Sequence, residues 1–181
     1  VLGSCDAVDS VVVTLNNQPA TVACTPGPAI TCANGSSNLT AVATPSGSNT
    51  ITGYSWSNGG NAASTTVADG NTYTVTVTQS NGCTASSSCD AFVDTCRPSV
   101  IAANSGAITN QVQFSNISAY ASACSGESLV YNWSNGNNSS NFTTNIIGIY
   151  TVTVTQNGNG CTASSTTILG TASNNPTAIC K

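Results

Sequence analysis

Tyr73-Thr74-Val75-Thr76-Val77-Thr78-Gln79 sets apolar Tyr73, Val75 and Val77 in alternation with Thr74, Thr76 and Thr78. A period of two sends one set of side chains to each face of an extended chain. The segment therefore reads as a half-buried antiparallel strand with one apolar and one hydroxyl face. The pattern returns as Tyr150-Thr151-Val152-Thr153-Val154-Thr155-Gln156, 77 positions later. Tyr54-Ser55-Trp56-Ser57-Asn58-Gly59 returns as Tyr131-Asn132-Trp133-Ser134-Asn135-Gly136 at the same offset. Asn81-Gly82-Cys83-Thr84-Ala85-Ser86-Ser87 returns as Asn159-Gly160-Cys161-Thr162-Ala163-Ser164-Ser165, offset by 78. The extra residue falls in a turn, where insertions cost least. Blocks returning in fixed order make an internal repeat.

The Asn-Gly after each repeated strand favours a tight hairpin, because both residues tolerate positive φ. A second strand then starts at Thr84 or Thr162. Tyr54 and Trp56 lie two apart and share a face, as do Tyr131 and Trp133. A Trp one strand ahead of a Tyr-headed strand is how Ig-type sandwiches fill their core. Asp69-Gly70-Asn71-Thr72-Tyr73 is similar to the corner turn before that Tyr, and the second copy keeps only Gly148-Ile149-Tyr150. Tyr54, Trp56, Tyr73, Tyr131, Trp133 and Tyr150 are thus expected in the core. For Trp56 and Trp133 this reading is preferred over sugar stacking. No stretch shows a capped 3.6-residue apolar period, which disfavours parallel α/β topology. The expected fold is all-β: two tandem Ig-like antiparallel β-sandwich domains, stabilised by disulfides. Residues 1–28 form an N-terminal segment, 29–91 domain one, 92–95 a linker and 96–181 domain two. Ser10-Val11-Val12-Val13-Thr14-Leu15 reads as a strand without an obvious partner. It either completes domain one or pairs with another subunit.

Ser, Thr and Asn fill 75 of the 181 positions, whereas charged residues make up 4% and the net charge is −4. Disordered chains of such polarity usually lack β-branched residues and carry high net charge. Here Val, Ile and Thr are plentiful, so the polarity belongs to the wet faces of sheets. Lys and Arg number two. They cannot neutralise a run of phosphates, so nucleic acid is excluded as a partner, and an anionic membrane surface with it. No stretch approaches the ~20 apolar residues of a spanning helix, so membrane insertion is not expected. Val1 follows no initiator Met or signal peptide, as in a processed or excerpted start.

The absence of His removes the commonest general base. The acids are Asp6, Asp9, Asp69, Asp90, Asp94 and Glu127, and they form no pair matched between the copies. No cysteine has an evident base beside it. The only Lys is Lys181, which leaves no route to a Lys–Asn isopeptide bond. The chain is therefore expected to be non-enzymatic and to hold no cofactor. Asp90 and Asp94 offer a weak Ca²⁺ alternative to the preferred reading, a solvated linker.

Nine cysteines in a His-free chain point to an oxidising compartment and disulfides. Structural zinc sites favour closer pairs than Cys83/Cys89 and Cys89/Cys96. The terminal positions of Cys5 and Cys180 make them the leading candidates for an intermolecular bond. With nine cysteines, such a bond leaves an odd number behind.

The Y-x-W-S-N-G, G-x-Y-T-V-T-V-T and N-G-C-T-A blocks resemble the repeat of Bacteroidota surface adhesins, the SprB-type gliding adhesins and related PKD-like, Ig-like modules. The resemblance covers residues 30–88 and, more loosely, 96–168. It implies export and a secreted, cell-surface location. It also implies that an early Cys pairs with the Cys of N-G-C, which makes Cys32–Cys83 the preferred bond in domain one. Domain two departs from the pattern. Cys161 has either Cys124 or Cys96 as partner, and Cys124 is preferred because Cys89 and Cys96 then clip the linker. Asp9-Ser10-Val11 matches the short O-glycosylation pattern of that phylum, with Ser10 as acceptor. Asn-x-Ser/Thr sequons at Asn34, Asn38, Asn116, Asn132, Asn137, Asn138 and Asn141 are expected by chance in so Asn-rich a chain.

Two roles remain. In the first the chain is a subunit or segment of an extracellular fibre, self-associating by strand addition and disulfides with an exterior too weakly charged to repel. In the second it is a spacer or ligand-binding module of a large adhesin. A glycan or protein would then be held by the Gly59–Ala63 and Asn135–Asn141 loops. The fibre reading is preferred.

Overall fold

The computed structural model describes residues 9–12, 15–124 and 126–172. They divide into two compact units. Unit one holds the described residues up to Gly27 together with Asn38–Val67 and Asn71–Ala91. Unit two holds Pro28–Ser37, Ala68–Gly70 and the described residues from Phe92 onward.

In chain order the strands are β1 (Thr21–Thr25), β2 (Ile30–Thr31), β3 (Ser37–Thr44), β4 (Ile51–Trp56), β5 (Ser64–Val67), β6 (Thr72–Gln79) and β7 (Thr84–Asp90). They continue with β8 (Val93–Asp94), β9 (Ser99–Asn104), β10 (Ser115–Ser122), β11 (Leu129–Trp133), β12 (Asn141–Thr144), β13 (Gly148–Gln156) and β14 (Thr162–Leu169). Unit one has sheets ordered β1-β3-β5 and β4-β6-β7, and unit two has β12-β10-β9 and β11-β13-β14. Each unit thus places its first, second and fourth long strands in one sheet and its third, fifth and sixth in the other. That antiparallel crossover pattern is the Ig-type sandwich. The short β2 and β8 pair in parallel, Ile30 with Val93 and Thr31 with Asp94.

Alternation in the repeated strand works as its letters imply. Tyr73, Val75, Val77 and Gln79 of β6 are buried, as are Tyr150, Val152, Val154 and Gln156 of β13, while the threonines between them face outward. The core of unit two gathers Ile117, Ala119, Trp133, Tyr150, Val152, Val154 and Leu169. Phe142 meets both Trp133 and Tyr150 edge-on, with centroids 5.3 and 5.6 Å apart. In unit one Leu39, Ala41, Trp56, Tyr73, Val75 and Val77 occupy the matching positions and are buried. Tyr54 and Tyr131 are only half-buried, and Tyr131 packs against the edge of its core.

The domain limits differ from expectation. The strand that completes unit one is Thr21–Thr25, paired with β3 from Thr21↔Thr44 to Thr25↔Thr40. The expected strand at 10–15 falls partly outside the described residues; Val11, Val12 and Leu15 are exposed and belong to no strand. Residues 29–37, expected in domain one, belong with Pro28 to unit two because the β2/β8 ladder and a disulfide hold them there.

Among the described residues the disulfides are Cys24–Cys89, Cys32–Cys161 and Cys96–Cys124, and Cys83 is free. Each preferred pairing is therefore corrected. Cys32 bonds Cys161 rather than Cys83, because its segment lies in unit two with the Asn159-Gly160-Cys161 turn. Cys124 takes Cys96 rather than Cys161. Cys89 does not clip the linker: β1 runs beside β7, where the Ser87 hydroxyl accepts the Cys24 amide at 3.1 Å, and Cys89 bonds Cys24. Cys5 and Cys180 lie outside the described residues.

Candidate functional site

Neither Trp offers a platform. Trp56 and Trp133 are each 2% exposed. Their Nε1 atoms donate to Ala62 O and Ser139 O, both at 2.9 Å. The loops proposed as ligand contacts thus supply the carbonyls that pin these rings. Asn side chains shape the loops: Asn58 Oδ1 accepts Gly60 N at 3.2 Å, and Asn135 Oδ1 accepts Asn137 N at 3.2 Å. The Tyr150 hydroxyl donates back to Ile146 O at 2.7 Å, the corner bond of Ig-type sandwiches.

Asp90 and Asp94 have separate engagements. Asp90 Oδ1 accepts the Thr72 hydroxyl at 2.6 Å, and Asp94 Oδ1 accepts Asn159 Nδ2 at 3.1 Å. Among the described residues no three His, Cys, Asp or Glu side chains gather as metal ligands. Ser10 is exposed. Two surface depressions of unit two are lined without charge, one by Ala103, Asn104, Ser105, Asn116, Ser118 and Tyr120. The other is lined by Asn132, Trp133, Ser134, Thr151 and Thr153.

The outer faces carry hydroxyl ladders at equivalent places in both units. Thr74 meets Ser88 at 2.8 Å and Thr76 meets Ser86 at 2.9 Å. Thr151 meets Thr166 at 3.2 Å and Thr153 meets Ser164 at 3.0 Å. Beyond the ladder of unit two lies an apolar group: Ile149 pairs with Ile168 across β13 and β14, and both are exposed, as are Ile146 and Ile147.

The most built-up feature is the Asn-Gly-Cys turn of unit two. Asn159 is 1% exposed, and its Nδ2 donates to Asp94 Oδ1 and to Cys96 O at 3.1 and 2.9 Å. Its Oδ1 accepts Cys161 N at 2.9 Å, and its carbonyl accepts Ala33 N at 3.1 Å. Cys32 bonds Cys161, which is fully buried. A Cβ placed on Gly160 would lie 2.5 Å from Ala33 Cβ, so the capping segment sits directly on the turn.

The turn of unit one has the same frame. Asn81 Oδ1 accepts Cys83 N at 3.0 Å, and Asn81 Nδ2 donates to Asn16 O at 2.9 Å. Asn16 and Gln18 occupy the positions of Asp94 and Cys96, 78 residues earlier. Cys83 is half-buried and its thiol donates to Asn17 O at 3.3 Å.

Comparisons with known proteins add little to this geometry. No family profile matches the chain, and no curated protein does. Among solved structures it is similar to murine CEACAM1b at 10% identity, covering 84% of this chain and all of that one, with a TM-score of 0.33. It is also similar to immunoglobulin domains 1–5 of Sidekick-1 at 17% identity, covering 76% of this chain and 38% of that one, with a TM-score of 0.34. The strand order within each unit, not these likenesses, defines the fold as Ig-like.

Sequence reasoning missed Cys24 and the capping role of residues 28–37. Cys24 sits on an edge strand whose copy in unit two carries Ala102, so the repeat gave no hint of it. The repeated Asn-Gly-Cys was the one available signal for the seat, and it does not name the partner.

Proposed function

We propose that the chain is a structural segment or subunit of an extracellular surface filament built of Ig-like units. The observation that carries this reading is the Cys32–Cys161 bond, which joins positions 129 residues apart. End-to-end tension passes through that bond and around nearly all of the intervening strands. Such a tie suits a chain that is pulled. The three disulfides belong to an oxidising environment of the extracellular kind. The hydroxyl-coated exterior gives copies little charge repulsion to overcome. Exposed Val11, Val12 and Leu15, outside any strand, supply an apolar segment suited to strand addition. The resemblance to Bacteroidota adhesin repeats supports a cell-surface setting. No step of this role requires catalysis.

A second reading rests on the exposed Ile146, Ile147, Ile149 and Ile168, an apolar group of the kind that marks an interaction site. In it the chain is a spacer or ligand-binding module of a large adhesin. Electron microscopy of the purified chain, concentrated under oxidising conditions, separates the two. Filaments are expected. Dispersed single chains that bind a glycan or protein array would replace the filament reading with the module reading.

A further inference from the structure

We infer that the outer face of β9 and β10 in unit two is a seat for one neutral sugar ring, stacked on Tyr120 and hydrogen-bonded by Asn116 and Ser118. The inference goes beyond filament assembly and does not depend on it.

Tyr120 differs from the other aromatic residues carried by strands. Trp56, Trp133, Tyr73 and Tyr150 are buried, and Tyr54, Tyr131 and Phe142 are half-buried. Tyr120 is 67% exposed, and Ile101, its partner across the ladder, is exposed to the same degree. An antiparallel ladder fixes the backbone under this ring, so its apolar face is held ready for a ligand. The C–H face of a pyranose packs on such a ring and keeps its hydroxyls at the rim, where polar groups reach them.

The period of two sets three outward pairs side by side: Ile101 with Tyr120, Ala103 with Ser118, and Ser105 beside Asn116. Ala103 is the smallest of the six, and a depression of about 90 Å³ opens over it between Tyr120 and Asn116. That is room for the edge of one ring and not for a buried oligosaccharide. Asn116 Nδ2 donates to the Ser118 hydroxyl oxygen at 3.3 Å. Among the described residues Asn116 Oδ1 then has no protein donor and the Ser118 hydroxyl has no acceptor. An acceptor beside a donor is what two neighbouring ring hydroxyls satisfy.

Charge complementarity sets the class of sugar. No charged side chain lines the depression. The basic residues of the chain are Arg97 and Lys181, and the Arg97 guanidinium donates to Thr162 O at 3.3 Å. A sialylated, sulfated or phosphorylated sugar would meet no counter-charge in this seat, whereas a neutral ring needs none.

Unit one supplies the comparison. The same strands 78 residues earlier keep the polar positions as Asn38 and Thr40. Val42 and Ala23 stand opposite each other where unit two has Tyr120 and Ile101, and Thr25 faces Thr40 as Ala103 faces Ser118. The ring is gone there and a branched side chain occupies the floor. Ring and opening therefore occur together in one unit, which the shared sandwich does not require.

The test is an NMR titration of the isotope-labelled full chain. A single exposed sugar contact binds with a Kd on the order of 1 mM. The probes are the methyl glycosides of glucose, galactose, mannose and N-acetylglucosamine, with N-acetylneuraminic acid as the charged counterpart. At least one of the four neutral glycosides is expected to give saturable amide shifts at residues 101–105 and 116–120, with none at 23–25 and 38–42. Tyr120→Ala and Ala103→Thr are expected to lose these shifts and Tyr120→Trp to keep them. Unchanged unit-one amides and mapped disulfides confirm that each variant folds. No saturable shift with any of the four, shifts that survive Tyr120→Ala or Ala103→Thr, an equal response in unit one, or tighter binding of N-acetylneuraminic acid overturns the inference. So do shifts at these residues that grow with protein concentration without sugar, which would assign the face to a second copy. Filament formation is read separately by microscopy, so loss of either reading leaves the other standing.

Discussion

Gln79 and Gln156 close the two repeated strands and are both buried, at 1% and 0% exposure. Gln79 is well supplied: Oε1 accepts Ser46 N at 3.1 Å, and Nε2 donates to Gln18 O and to the Ser46 hydroxyl at 2.6 and 3.0 Å. Gln156 Oε1 accepts Cys124 N at 3.0 Å, but among the described residues its Nε2 has no partner. The reason is substitution around it. Cys96 and Cys124 stand where unit one has Gln18 and Ser46, their side chains form a disulfide, and Asn159 takes the Cys96 carbonyl. A buried polar atom without a partner costs about 1–3 kcal/mol, while one removed together with its need is nearly neutral. Gln79→Leu is therefore expected to lower stability by about 1–3 kcal/mol, since it orphans Ser46 N, while Gln18 O keeps the Ser46 hydroxyl as donor. Gln156→Leu is expected to cost less than Gln79→Leu, because it frees Cys124 N but also removes the Nε2 that has no partner among the described residues. Guanidinium unfolding of the two variants checks this, and equal losses would contradict the stated bonding.

At the scale of elements, β1 and β7 belong to different sheets of unit one and are stapled by Cys24–Cys89. Unit two joins β9 and β14 without a disulfide: Ser165 Oγ accepts Ala102 N at 2.9 Å, and Asn104 Nδ2 donates to Thr167 Oγ1 at 2.8 Å. The bond in unit one closes a sequence separation of 65, and loops of that size contribute about 2–4 kcal/mol when cross-linked. The Cys24→Ala/Cys89→Ala variant is expected to lower the unfolding midpoint of unit one by that amount and to leave unit two unchanged, read by Trp56→Phe and Trp133→Phe reporters. A uniform loss would show that the units do not unfold separately. The strands legible in the sequence were β4, β6, β11 and β13, where Val or an aromatic alternates with a polar residue, and β7 and β14, which follow the repeated Asn-Gly turn. Illegible were β1 and β9, edge strands with little burial contrast, β5, only four residues long with Thr65 as one of its two buried positions, and β3, whose inward positions include Ser37 and Ala41. Cysteine pairing was illegible for a related reason. Only Cys83 and Cys161 occupy equivalent positions, and the segment that bonds Cys161 is placed by a two-residue ladder that carries no periodicity.

For the whole molecule the disulfides define a covalent path much shorter than the chain. From Cys24 the backbone runs eight residues to Cys32 and crosses to Cys161, so that strands β3 to β13 lie off the line of pull. The strand beyond the crossing is β14, held to β13 by a full antiparallel ladder and by the Thr151–Thr166 and Thr153–Ser164 hydroxyl pairs. An extended residue spans about 3.5 Å, so the 129-residue separation withholds about 450 Å of contour while the bond is intact. Single-molecule extension between handles at residues 1 and 181 is expected to show that length only after reduction, whereas Cys32→Ser without reductant is expected to show only part of it, since Cys24–Cys89 and Cys96–Cys124 still close their loops. Cys96→Ser, whose bond closes a separation of 28 inside the larger loop, is expected to leave the oxidised extension unchanged. Release of the full contour from the oxidised wild type would mean that Cys32 and Cys161 are not joined, and would remove the tension path on which the filament role depends.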